Sequence, residues 1–134
     1  MSNLHKYTGA SADFYSRENN IYPFSEAVKV GDTIYLAGQI GIGPGGLVDG
    51  FDLQVRQMMD NVAKTLRDMG LGMEHLVKCT VFMADLSKWE KFNAIYVEYF
   101  DSVRLPARSA FGATELALGA EVEIDCIASA ARQY

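Results

Sequence analysis

The stretch "EVEIDCIA", residues 121–128, decides how this chain folds. It alternates with the period of a β-strand, placing Val122, Ile124, Cys126 and Ala128 on one face and Glu121, Glu123, Asp125 and Ile127 on the other. The first face is apolar throughout and needs a cover. The second carries three carboxylates, which suits a solvated sheet face or a site where one carboxylate does chemistry. The neighbouring segments bear on that choice.

Working outward, "HLVKCTVFMAD" (75–85) alternates in the same way, with Val77, Cys79, Val81 and Met83 on one face and Lys78, Thr80 and Phe82 on the other. Before it, Val55, Met58, Met59, Val62, Leu66 and Met69 recur mostly at spacings of three and four, which predicts a helix capped by Asp52 and closed by Gly70 and Gly72. After it, Ser87 and Glu90 match a capping box. They open a second helix with a stripe of Trp89, Phe92, Tyr96 and Phe100, ending before Pro106. "FSEAVKV" and "TIYLAGQI" read as a hairpin turning at Gly31 and Asp32, and "RSAFGA" as a strand joined to 121–128 through "TELALG". Residues 1–20 read as a weakly structured, peripheral segment of a single domain spanning 1–134. The order β-β-α-β-α-β-β predicts an α+β fold, a single-layer sheet with two helices packed on one face. The opposite face gathers Tyr35, Thr80, Phe82 and Ile127 with the carboxylates, a mixed character that suggests burial against another copy of the chain.

The composition narrows the function classes. With 134 residues, 49% of them hydrophobic, the chain can bury one ordinary core. A net charge of −5 and the lack of a basic run count against a protein whose main task is to grip nucleic-acid phosphates or an anionic membrane. "MSNLHKYTGASADFYS" lacks the apolar core of a secretory signal and no stretch is long enough to span a bilayer, so a cytoplasmic location is expected. Cys79 and Cys126 lie on apolar strand faces and are expected to be free thiols. His5 and His75 have no partner at a metal-ligand spacing, so no metal is expected. "GIGPGG" satisfies G-x-G-x-x-G at Gly41, Gly43 and Gly46, but Pro44 prolongs a loop where a phosphate site would need a helix to open.

"LPARSAF" (105–111) remains. Pro106 biases the chain towards an extended conformation, placing Arg108 at the mouth of a strand. Spacing alone favours a surface ion pair for Arg108; facing a pocket, its planar fork would instead clamp a carboxylate.

Together "YPFSEAVKVGD", "LAGQIG", "DNVAKTLRDMGL", "VKCTVFMADLSKWEKFNAIYVEYF", "LPARSAF" and "VEIDCIA" resemble the signature segments of the reactive intermediate deaminase family (Rid, or YjgF), over about residues 20–130. The resemblance implies a chorismate-mutase-like α+β fold and a homotrimer with active sites between subunits. It implies hydrolysis of 2-imino acids, formed from enamines such as 2-aminoacrylate, to 2-oxo acids and ammonia, without metal or cofactor. Arg108 matches the family arginine and Glu123 the family glutamate, the first to clamp the substrate carboxylate and the second to orient or activate water. Phe24, Gly38 and Ala110 match substrate-contacting positions. Phe24 stands where many members have tyrosine and Ala110 where they have cysteine, departures that bear on substrate range. Two other readings remain open: a non-catalytic regulatory trimer that binds small molecules, and an endoribonuclease or translation inhibitor, against which the acidic charge counts.

Overall fold

The alternating 121–128 stretch becomes the middle of a sheet because its apolar face is covered by helices and both of its edges are paired. In the computed structural model, which describes residues 3–131, the strands are β1 (Leu4–Thr8), β2 (Asp13–Arg17), β3 (Ala27–Val30), β4 (Thr33–Leu36), β5 (Gln39–Ile40), β6 (Ile42–Gly43), β7 (Gly46–Leu47), β8 (Leu76–Met83), β9 (Ala107–Gly112) and β10 (Val122–Ser129). The helices are α1 (Phe51–Asp68) and α2 (Trp89–Tyr96). The main sheet runs β1-β2-β3-β4-β10-β8-β9, with β5 also on β10, while β6 and β7 form a separate small hairpin. Among the described residues only β8 and β9 pair in parallel, and α2 lies in the crossover such a pair requires. This is the α+β arrangement expected from the order of elements.

The core gathers on one face. Val122, Ile124, Cys126 and Ala128 of β10, with Cys79, Val81 and Met83 of β8, are buried against Val55, Met58, Met59, Val62 and Leu66 of α1 and Phe92 and Tyr96 of α2. Cys79 and Cys126 face each other across the strand pair as free thiols, with sulfurs 3.5 Å apart.

Four local expectations are corrected. Residues 4–17 form a hairpin, β1 and β2, that pairs onto β3 and extends the sheet, rather than a weakly structured segment. Helix α1 starts two residues earlier than Asp52 would allow as its cap: Gly50 holds the cap position without a side-chain bond, and Asp52 sits in the first turn, where its charge favours the helix dipole. Ser87 does not cap α2; its backbone N–H and hydroxyl both donate to Asp85 Oδ1 (3.0 and 2.6 Å), so Asp85 caps a short 3-10 turn leading into the helix. Val77 is exposed and Leu76 takes its place in the core, because an irregularity opposite Ile127 and Ala128 shifts the register of β8 against β10.

Polar residues of α1 fix the segments that cross it. Asn61 Nδ2 donates to the carbonyls of Ile40 (3.2 Å) and Ile42 (2.9 Å), and buried Gln54 Oε1 accepts from Glu121 N–H (2.8 Å). The "GIGPGG" glycines contribute here to packing: a Cβ on Gly41 would lie 2.7 Å from the Gln54 backbone, so a glycine is what lets this strand end rest on α1.

Candidate functional site

The outer face of the sheet is laid out in rows set by the register. Glu123, Phe82 and Phe111 form one row, and Asp125, Thr80 and Ser109 the next. Ile127 is paired with both Lys78 and Tyr35. Phe82 and Phe111 stack with ring centroids 6.0 Å apart, and Lys78 Nζ donates to Ser109 Oγ at 3.0 Å. The mixed character read from the sequence is real for this face. Glu121, however, does not belong to it. It precedes β10, and its carboxylate turns to accept from Lys88 Nζ at 2.8 Å. The three carboxylates are therefore not equivalent.

Glu123 is distinguished by what lies beside it. Between Tyr35 and Gln39 the chain spends one more residue than the facing strand spends between Ile127 and Ile124, which is the signature of a β-bulge. Gly38 lies in that bulge, and a Cβ there would be 2.7 Å from Glu123 Oε2. Glycine thus leaves the space into which the carboxylate folds back against the main chain. Around it opens a cavity of about 1170 Å³, walled by Phe24, Gly38, Ile40, Tyr35, Leu118 and Glu123 itself. Phe24 stacks on Tyr22 with centroids 5.5 Å apart, giving the mouth an aromatic lip. Leu118 has a left-handed backbone (φ 57) and projects into solvent, a strained conformation of the kind that collects at functional sites. Partial burial, with Asp125 nearby as a second cause, raises the pKa of Glu123 above the ordinary carboxylate value. Among the described residues no cation pairs with it.

Arg108 and Ala110 lie elsewhere. Both are on the edge strand β9, in register with Cys79 and Val81, and so on the helix-covered face of the sheet. The Arg108 guanidinium carbon is 5.1 Å from the ring centroid of Trp89, 5.4 Å from that of Phe92 and 4.9 Å from that of Tyr96. It forms no ion pair among the described residues, so the surface salt bridge that spacing favoured is not what the fold builds. Within one chain the structure brings Phe24, Gly38 and Glu123 together and leaves Arg108 and Ala110 outside their cavity. The aromatic stripe of α2 was legible as a core stripe, but its contact with Arg108 depends on parallel pairing of β9 with β8, which no local signal announces.

The geometry can be set beside known proteins. A family model described as Endoribonuclease L-PSP matches residues 16–130. The chain belongs to the Rid (YjgF) family. A RutC family protein of Aquifex aeolicus is 45% identical over 109 residues, covering 79% of this chain and 87% of that protein. A mouse protein named 2-iminobutanoate/2-iminopropanoate deaminase is 40% identical over 111 residues, covering 81% of this chain and 82% of its own. Among solved structures, a Rid-family protein of unknown function, YyfA from Yersinia pestis, superposes with a TM-score of 0.79 at 35% identity, covering 82% of this chain and 90% of that one. These likenesses agree with the chorismate-mutase-like fold expected of a Rid protein. No helix among the described residues of this Rid protein is long and apolar enough to cross a membrane, and no cluster of metal-ligating side chains occurs among them.

Proposed function

We propose that the chain hydrolyses 2-imino acids of the 2-aminoacrylate and 2-iminobutyrate type to 2-oxo acids and ammonia, in a homotrimer whose sites form between copies. The observation that carries this reading is the Glu123 carboxylate, held against Gly38 in a cavity, with a raised pKa and no ion pair among the described residues of its own chain. A general base works best when its pKa approaches the working pH, and partial desolvation moves a glutamate in that direction. Glu123 takes a proton from water as the oxygen attacks the imine carbon. The imine reacts in its protonated form, so a neutral carbinolamine results; Glu123 returns its proton to the nitrogen, the C–N bond breaks as the C=O bond forms, and the hydroxyl proton passes to the Glu123 carboxylate and on to solvent or the released ammonia.

The substrate also carries a carboxylate. Arg108 suits it, because its fork is not engaged by any acidic side chain among the described residues. Arg108 and Ala110 of one copy would complete the Phe24, Gly38 and Glu123 cavity of the next, which accounts for the two half-sites lying apart in a single chain. The mixed outer face supplies the surface for such an assembly. The name of the mouse relative supports the reaction class.

The test supplies imine from a 2-aminoacrylate-generating lyase and follows 2-oxo acid and ammonia. Turnover above the spontaneous rate, with sedimentation as a trimer, is expected. Tight 2-oxo acid binding without turnover would favour a regulatory binding protein, and salt-sensitive RNA cleavage the nuclease reading.

A further inference from the structure

An arginine partly buried at a sheet edge normally finds a carboxylate. Arg108 has three aromatic rings instead, Trp89, Phe92 and Tyr96, all with centroids within 5.4 Å of its guanidinium carbon. The two arrangements differ in what they leave free. A carboxylate partner would take the N–H donors of the fork. Ring faces attract the cation through their quadrupoles and fix its place while leaving those donors open.

The rings fall at positions 89, 92 and 96, one stripe of α2, and the parallel pairing of β9 with β8 sets Arg108 above that stripe. Phe92 and Tyr96 are buried and pack on each other with centroids 5.3 Å apart, so they belong to the core whatever Arg108 does. Trp89 is different. It is 42% exposed, stands at the rim of the stripe, and is the largest ring of the three and the chain's single tryptophan. A core role does not explain an exposed indole there; contact with Arg108 does.

We infer that Trp89 is a positioning residue for Arg108, holding its fork presented for a carboxylate ligand, with Phe92 and Tyr96 as the fixed base of the platform. The inference rests on the reading of Arg108 as the carboxylate clamp, and it adds the residue that makes the clamp a prepared one. An arginine free to swing would have to be ordered at each binding event, and the side-chain entropy lost then weakens binding.

The experiment uses the full chain in its native assembly and 2-oxobutanoate as the carboxylate probe. Calorimetric binding to wild type, Trp89→Phe and Trp89→Leu should show a Kd raised about 3- to 30-fold in Trp89→Leu and restored most of the way in Trp89→Phe, which keeps a ring face. In turnover the same loss should fall on KM more than on kcat, because the carboxylate contact is made in ground and transition states alike. In an Arg108→Met background Trp89→Leu should add nothing, an outcome a merely structural role would not give. In wild type, 2-oxobutanoate should also change the Trp89 emission, a readout independent of how any variant folds. Equal Kd values for wild type and a folded Trp89→Leu, calorimetric binding with unchanged emission, or no binding by wild type would each overturn the inference. Failure of wild type to deaminate imines while these binding effects hold would overturn the proposed reaction and leave the positioning role intact.

Discussion

The surroundings of Glu123 and of Arg108 show two ways of holding a charge that has no ionic partner among the described residues. Glu123 lies on the open face of the sheet, in a cavity, against a glycine in a bulge. Arg108 lies on the covered face, at the edge, over aromatic rings. Desolvation raises the pKa of the carboxylate. The rings seat the cation without consuming its donors. Elsewhere the molecule does pair its charges: Arg17 bonds Glu26 and Asp68 at 2.7 and 2.6 Å, and Lys88 bonds Glu121 at 2.8 Å. The contrast is between charges fixed by one another and two that are seated by other means, one by a cavity and a glycine, the other by ring faces.

The largest expected effect falls on the base. Glu123→Gln keeps volume and fold and should slow imine hydrolysis by about 10²- to 10⁴-fold, while Glu121→Gln, which removes only the Lys88 pair, should leave turnover close to wild type. Equal rates for the two variants would erase the distinction between them. Arg108→Lys comes next. An ammonium cannot reproduce the fork, and losing a charge-assisted contact should lower kcat/KM by roughly 10- to 100-fold with the fold intact. Unchanged kinetics would make Arg108 a packing residue only.

Gly38→Ala probes the seat of the carboxylate. Its Cβ would lie 2.7 Å from Glu123 Oε2, so the carboxylate must move, and a loss on the order of tenfold in kcat is expected, with Arg108-dependent binding of 2-oxobutanoate retained. Loss of both functions together would show that the bulge supports more than Glu123.

The subtlest effect sharpens the comparison most. If Glu123 is the base it must be ionised to act, so activity should fall on the acid side as Glu123 protonates; burial within its own chain raises its pKa, and an arginine brought beside it by another copy opposes that shift. A cation beside a carboxylate lowers its pKa; removing that cation raises it. If the two half-sites meet across the assembly, Arg108→Met should therefore move the acid limb of the residual activity to still higher pH. An unmoved limb would show that the two charges never come close.

Much of the fold was legible in local pattern. The alternation at 122–129 and the three-and-four spacing along α1 are each enforced by one buried face, so the sequence had to state them. The hairpin at 4–17 was not legible, because its strands pair at the sheet's outer edge and β1 buries no side chain fully. The bulge at Gly38 and the shift that exposes Val77 were hidden for another reason: each is a mismatch between two strands far apart in sequence.

The sequence by itself determined the order of the two helices and the longer strands after residue 26, the apolar face of the central strand and, through its resemblance to the Rid family, the two residues of interest. Their surroundings were decided only by tertiary structure. Periodicity says which residues share a face, but not which strand lies alongside or in what register. Parallel pairing of β9 with β8 sent Arg108 to the aromatic stripe of α2. The extra residue in the strand facing β10 opened the place beside Gly38 for Glu123. Both outcomes are non-local distances, and a linear pattern carries none.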